Sequence, residues 1–362
     1  MMVVDDSVVV RKIVTDVLSQ DPMIQVVGTA ANGRLAMAKF AGLNPDLVTM
    51  DIEMPEMNGI ETVRAIRATR SRVPIIMFST LTERGASATL DALSSGANDY
   101  VTKPANVGSV ALSMESVRQQ LIPKIKALTG RPIATGLPLP RSSAAVPREP
   151  KPRTGPTKEP AVLVIGSSTG GPEALTKVLP ALPASLPVPV LLVQHMPPVF
   201  TRQFAQRLDR LCALDVVEAV DGAPLLPGTV HLAPGDFHLT VRTSGRQRFT
   251  TLNQGPAENF CRPAVDVLFR SAVSAFSGAV LGVVLTGMGS DGRIGAGLIR
   301  DSGGSVIAQD QATSVVWGMP GAVVQAGFAD ETVPITKVSE SILRALSGAR
   351  QGTTSLVTGG AR

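Results

Sequence analysis

Residues 161–172 read AVLVIGSSTGGP, and the second half of the chain is understood from this stretch. Five consecutive apolar residues, 161–165, predict a buried strand. Gly166 and Gly170 frame Ser168 in a G-x-S-x-G turn, and Pro172 suits the first turn of a helix. A sharp strand-to-helix turn lifts the serine hydroxyl clear of the backbone and brings helix N–H groups to the same point. That pairing suits a nucleophile and the oxyanion it creates. It also suits a phosphate-binding glycine loop, since helix starts attract anions generally. No Gly-Lys-Ser/Thr follows, so a Walker loop is excluded, and the G-x-G-x-x-G of a dinucleotide loop is not met.

Working outward, residues 161–347 alternate further strand-like runs with amphipathic stretches. Strands are predicted at 188–194, 216–220, 229–233, 239–242, 280–286 and 305–309, and helices at 172–182, 201–211 and 265–275. Such alternation builds a doubly wound, mostly parallel sheet, whose strand C-termini meet along one ligand-binding edge. Two of those ends carry partners for a serine. His195 closes PVLLVQHM, and Asp291 lies in the glycine-rich TGMGSDG directly after the run VLGVVL. Ser168, His195 and Asp291 would then supply the nucleophile, base and orienting carboxylate of a triad. The other histidines, His231 and His238, fall inside or at the start of strands and are expected to be structural. The chain order Ser, His, Asp differs from that of the α/β-hydrolases, chymotrypsin and subtilisin, so no lipase-like fold is indicated.

Residues 1–122 show the same alternation. Runs at 1–4, 24–28, 46–50, 74–78 and 100–102 are predicted strands, with helices such as 34–41 and 59–67 between them. Asp5 and Asp6 follow the first run, Asp51 ends VTMD, Ser79 follows IIMF, and Lys103-Pro104 follows the last. Carboxylates gathered at one edge repel each other and need a divalent cation; oxygen ligands suit Mg2+. A carboxylate beside that ion can attack a phosphoryl donor and become an acyl phosphate. Lys103 can neutralise the phosphoryl oxygens and the Ser79 hydroxyl can hydrogen-bond one. Singly these are ordinary loop residues; in this order they are specific.

Between the halves, residues 124–160 hold eight prolines, and eight Lys/Arg against two Asp/Glu. An extended, solvated linker over 123–160 is predicted. The formal charge of +5 therefore belongs to the linker and leaves no basic reading surface for nucleic acid. Residues 348–362, rich in Gly, Thr, Ser and Ala, read as a flexible tail. With 44% hydrophobic residues and only 3% aromatic, the cores must be built from Val, Leu, Ile, Ala and Met. No apolar run reaches membrane-spanning length and the acidic start does not resemble a signal peptide. Cys212 and Cys261 lack metal-type spacing and read as free thiols in a reducing compartment. A cytoplasmic location is the expectation.

The ordered set in residues 1–122 resembles a two-component receiver domain of flavodoxin-like fold. The segments IGSSTGG, VQHM, GTVHLAPG, RPAVDVLFRS and LTGMGSDG resemble the catalytic domain of the chemotaxis protein-glutamate methylesterases, the CheB family. Together the two likenesses span everything but the linker and tail. They imply a phosphorylation site at Asp51 and Mg2+ held by Asp6, Asp51 and the backbone carbonyl of Glu53, with Asp5 assisting. Ser79 and Tyr100 would be switch residues beside Lys103. In the second half Ser168 would be the nucleophile, His195 the base and acid, Asp291 the orienter, and Thr169 and Met288 would shape the oxyanion site, with no metal or cofactor. The implied substrates are glutamyl methyl esters, and glutamine amides, on methyl-accepting chemoreceptors. The implied phosphodonor is the chemotaxis histidine kinase, and a monomer is expected. Ser167 stands where the family commonly has alanine. Only four residues precede Asp5, fewer than receivers usually have, so a start further upstream or a short first strand is expected.

Two rival classes follow from the same residues. A receiver is most often joined to a DNA-binding domain, but the second half is too long for one helix-turn-helix and lacks a basic recognition helix. A non-catalytic module, or a hydrolase of another ester, would keep the same pattern, and activity alone separates them.

Overall fold

In a computed structural model the described residues are 1–103, 110–130 and 156–347. The chain divides near residue 141 into two compact units. Pro104 and the predicted tail lie outside the described residues, as does most of the predicted linker.

The first unit alternates β1 (Met2–Val4), α1 (Val8–Ser19), β2 (Gly28–Ala30), α2 (Gly33–Leu43), β3 (Val48–Asp51), α3 (Gly59–Ala68), β4 (Ile75–Ser79), α4 (Glu83–Ser94), β5 (Asp99–Thr102) and α5 (Val110–Leu128). Its five strands form one parallel sheet in the order β2-β1-β3-β4-β5. That order reverses beside β1, which puts a switch point where Asp5, Asp6 and Asp51 emerge. Helix starts follow side-chain capping: Ser7, Asn32, Asn58 and Thr82 each accept a hydrogen bond from an N–H of the first turn.

Two boundaries differ from the sequence reading. The second strand is not 24–28 but Gly28–Ala30, because β1 offers only three ladder residues and pairs Met2 with Gly28 and Val4 with Ala30. The linker does not begin at 123: α5 continues through Pro123 to Leu128. A proline inside a helix costs about 3 kcal/mol. Here Leu121 and Ile125 are buried in the core with Val14, Val17 and Leu18 of α1, and Lys124 and Lys126 pair with Asp99 and Asp21 at 2.8 and 2.6 Å. Those contacts hold the last turns of the helix.

The second unit starts with β6 (Val162–Ser167) and α6 (Gly171–Val178), then β7 (Val190–Gln194), α7 (Pro198–Leu211), β8 (Asp215–Glu218) and β9 (Thr229–Leu232). A hairpin of β10 (His238–Ser244) and β11 (Gln247–Asn253) leads to α8 (Val265–Ala275) and β12 (Val280–Val284). The chain closes with α9 (Arg293–Asp301), β13 (Ser305–Gln309), α10 (Met319–Gln325), β14 (Glu331–Val333) and α11 (Val338–Ser347). Seven strands make a wholly parallel sheet, β14-β13-β12-β6-β7-β9-β8. The buried residues of β6, β7 and β12 pack with α8 and α9 in one core, and such continuous apolar runs are what a sheet covered on both faces requires. β11, β14 and α9–α11 were not foreseen. In α9 the run RIGAGLIRD looks like a glycine loop, yet a Cβ on Gly295 would lie 2.4 Å from the Phe269 Cβ. Glycine there permits the close packing of α8 on α9.

Candidate active site

β6 lies between β12 and β7, so its C-terminal end sits mid-sheet. Beyond it the chain turns through Gly170, at φ 77°, into α6. The turn is held by hydrogen bonds. Ser168 N–H donates to Thr286 O at 3.0 Å and Gly171 N–H to Ser168 O at 2.8 Å. The Gln194 side chain donates from Nε2 to Ser168 O at 2.9 Å, while its Oε1 accepts from the Ser167 hydroxyl at 2.7 Å.

Strand register brings the next residue in. Ser167 pairs with Gln194, so Ser168 and His195 leave neighbouring strands at one level, and His195 N–H donates to Ser167 O at 3.1 Å. The His195 ring places Nε2 2.8 Å from Asp291 Oδ2 and Nδ1 3.4 Å from the Cys261 Sγ. Among the described residues the Ser168 hydroxyl has no hydrogen bond to His195. The structure thus joins His195 to Asp291 directly and brings Ser168 alongside through the backbone.

Asp291 is the most heavily bonded carboxylate of the site. Its Oδ2 also accepts from Val265 N–H at 2.7 Å, and its Oδ1 accepts from Asp266 N–H, Gly292 N–H and Asn259 Nδ2, each at 2.9 Å. It therefore caps the N-terminus of α8, where the helix dipole favours negative charge. Burial acts to raise its pKa, but His195 and these backbone donors outweigh burial and hold it below the usual carboxylate value. Burial likewise disfavours a charged His195, but the hydrogen bond to Asp291, with Cys261 adding to it, pushes its pKa up to about 10. Asp266, buried one residue into α8, is raised to about 6 by desolvation with Asp291 nearby; its Oδ1 accepts from Gly295 N–H at 2.7 Å.

Met288 is half-buried next to Gly287, and a Cβ on Gly287 would lie only 2.9 Å from the Ser168 Cβ. The loop is fixed by Gly287 N–H donating to Val316 O at 3.0 Å. Thr169 is buried, and its carbonyl accepts from the Thr286 hydroxyl at 2.9 Å. A pocket of about 420 Å³ opens beside His195, walled by Met196, Pro197, Phe260 and Pro263. A larger cavity of about 570 Å³ lies at the opposite end of the sheet, by Ala161, Pro189 and Arg248, away from all of these groups. His238 is structural as expected: Nδ1 accepts from Ala264 N–H at 3.2 Å, and Nε2 lies 3.0 Å from Pro256 O. His231 is buried without a hydrogen bond at either ring nitrogen.

Asn259, Cys261 and Asp266 also contact these groups; the sequence reading had taken Cys261 only as a free thiol and had not singled out the other two. Cys261 and Asp266 sit just before and inside RPAVDVLFRS, so their nearness to a recognised segment was the one available signal.

In the first unit, single ligand atoms of Asp5, Asp6 and Asp51 all lie within 4.8 Å of one another. Lys103 Nζ reaches Asp51 Oδ2 at 2.8 Å and Asp5 Oδ2 at 3.2 Å. Burial, then the charge of Asp5, raises Asp51 to about 6, and burial also raises Asp5. Desolvation acts to lower Lys103, but Asp51 and Asp5 outweigh it and raise it. An all-oxygen trio this crowded fits a hard divalent cation. The Glu53 carboxylate stands outside the trio, 3.6 Å from Arg84. Ser79 is buried at the end of β4, donating to Thr80 O and Gly85 O at 3.2 and 3.1 Å and accepting from Thr89 at 2.6 Å. Tyr100 is buried in β5, and desolvation with Asp99 raises its pKa well above the ordinary phenol value.

Among the described residues no helix is long and apolar enough to cross a membrane. Residues 163–342 match the CheB methylesterase family, and residues 1–113 the response regulator receiver domain. A Nocardioides protein named protein-glutamate methylesterase/protein-glutamine glutaminase is 63% identical over 99% of this chain and 98% of its own length. One of the same name from Trichodesmium erythraeum is 49% identical over 95% of this chain and 97% of its own. The crystal structure of the Thermotoga maritima CheB methylesterase catalytic domain is similar at 44% identity and a TM-score of 0.50, covering 51% of this chain and 98% of that one. A parallel-sheet receiver unit, a serine turn beside a histidine–aspartate pair, and likeness along nearly the whole length together place this chain in the family of protein-glutamate methylesterase/protein-glutamine glutaminases.

Proposed function

We propose that this protein hydrolyses glutamyl methyl esters, and deamidates glutamine, on methyl-accepting chemoreceptors in the cytoplasm, acting as a monomer under control of Asp51 phosphorylation. The observation that carries the reading is the 2.8 Å His195–Asp291 pair at the sheet edge, one register step from Ser168. In the reaction a ring nitrogen of His195 takes the Ser168 proton while the hydroxyl oxygen attacks the ester carbonyl. The C–O bond to methanol breaks as the ring returns the proton to the leaving oxygen. Water, deprotonated by the same ring, then cleaves the acyl-enzyme to the free carboxylate. For this a side-chain rotation has to bring a ring nitrogen to the Ser168 oxygen, and the adjacent strand ends make that a local move. Asp291 steadies the imidazolium, and the N–H groups of Thr169 and Met288 are assigned to the oxyanion.

In the receiver unit Asp5, Asp6 and Asp51 would hold Mg2+, with the Glu53 carbonyl completing the set. The ion would neutralise the incoming phosphoryl oxygens. Asp51 accepts the phosphoryl group from the chemotaxis histidine kinase, Lys103 pairs with it, and Ser79 and Tyr100 respond.

The test is methanol release from methylated receptor membranes. Ser168→Ala is expected to lower it by roughly 10⁴-fold or more while phosphorylation at Asp51 persists. Undiminished release would remove Ser168 as nucleophile.

A further inference from the structure

The segment between β11 and α8 makes an unusual turn. Glu258 and Cys261 exchange both backbone hydrogen bonds, at 3.1 and 2.9 Å, around Asn259 at φ 52° and Phe260 at φ 62°. Two left-handed residues inside a closed pair form a type I′ turn, which favours Asn at the first position and Gly at the second. Asn259 fits. Phe260 does not, since a bulky residue at positive φ is a strained exception.

The Phe260 side chain gains no burial in return for this strain. Phe260 is 104% exposed, the most exposed of the large apolar side chains among the described residues. Yet the turn is firmly held. Asn259 Nδ2 donates to Asp291 Oδ1 at 2.9 Å and Asp266 Oδ2 at 3.3 Å, Glu258 pairs with Arg270, and Cys261 faces His195. An aromatic ring kept in open solvent, on a turn tied to both His195 and Asp291, stands at the mouth of the His195 pocket with Met196, Pro197 and Pro263. A strained residue whose own side chain stays unburied, next to reacting groups, points to a binding element.

We infer that Phe260 is a specificity residue of the esterase: its ring packs on an aliphatic side chain of the polypeptide that carries the ester, flanking the glutamyl residue. This rests on the esterase reading above. The ring shares its pocket with His195, the proposed base, so a polypeptide presenting an ester there would lie beside it. A rigid exposed aromatic ring beside a pocket is the kind of anchor that carries interface energy. It would hold the polymer without touching the ester, so it belongs to KM.

The experiment compares the full-length protein with its Phe260→Gly and Phe260→Tyr variants on methylated receptor membranes and on p-nitrophenyl acetate. For Phe260→Gly, kcat/KM on receptor is expected to fall about tenfold, mostly through KM, with a much smaller loss on the small ester. Its thermal midpoint should hold or rise, because glycine accepts positive φ without strain. Phe260→Tyr should keep receptor activity. An unchanged receptor kcat/KM in Phe260→Gly overturns the inference. So does an equal loss on both esters, which would mean a disturbed active site, or a faster small-ester rate, which would mean that the ring anchors the protein's own receiver unit. Wild-type protein that releases no methanol from receptor while cleaving the small ester would instead sink the substrate reading itself.

Discussion

Asp291 shows how a single residue is committed by its surroundings. Three backbone N–H groups, Asn259 and His195 all donate to it, so it stays ionised and its orientation is fixed. Asp291→Asn keeps the shape but loses the charge that orients the ring; a drop of roughly 10³–10⁴ in kcat is expected in methanol release. The same charge holds the His195 proton, with a pKa near 10. A base must be neutral to act, so basal esterase activity should climb with pH through the alkaline range instead of levelling near 7. Cys261 contributes to that upward push. Cys261→Ala should therefore move the rising limb to lower pH, and a pH–kcat/KM profile that does not move would separate Cys261 from His195 titration.

Among elements, the α8–α9 contact supports the site from below. The Asp291 loop leads directly into α9, and Asp266 of α8 binds the N–H of Gly295 at 2.7 Å. Gly295→Ala would drive a methyl group into Phe269, which lies at 2.4 Å. Overpacking of this kind costs about 1–3 kcal/mol. Urea unfolding of the catalytic unit should show that loss, together with reduced esterase activity as the Asp291 loop shifts. The α5 helix illustrates the opposite balance, because buried Leu121 and Ile125 keep it helical across a proline.

For the whole molecule, the proposed control of the esterase would begin at the acidic pocket. Asp51→Ala should leave basal hydrolysis intact and abolish stimulation by a small phosphodonor such as acetyl phosphate, measured as methanol release. At the proposed Mg2+ site a proton and the cation would compete. With its folded pKa raised from 3.8 to about 6, Asp51 favours the folded state most below the ordinary carboxylate value, and that advantage is lost as pH rises through about 6. Mg2+ bound by the ionised trio would restore it. Added Mg2+ should raise the thermal midpoint of the receiver unit clearly at pH 7.5 and little at pH 5; equal shifts at both would argue against the Asp51 site. His231 pulls in the other direction: burial lowers its pKa, so protonation of the unfolded chain below about 6.5 costs stability in the catalytic unit as the pH falls.

How much of this was written in the sequence depends on range. The strand runs, the serine turn and the acids at strand ends were legible because apolar periodicity and glycine turns are local, and a parallel sheet sends every strand end to one edge. His195 and Asp291 could be named as partners from that topology alone. What local pattern could not supply was the contact between distant segments. The helical α9 was hidden in a glycine-rich run because its Gly295 answers to Phe269 across a helix interface. The extension of α5 past Pro123 depended on α1. Asn259 and Cys261 joined the site only because a strained turn folds back onto Asp291 and His195. The orientation of the His195 ring, toward Asp291 and Cys261 with Ser168 alongside, was decided by hydrogen bonds and packing among residues up to 96 positions apart, which no short window of sequence contains.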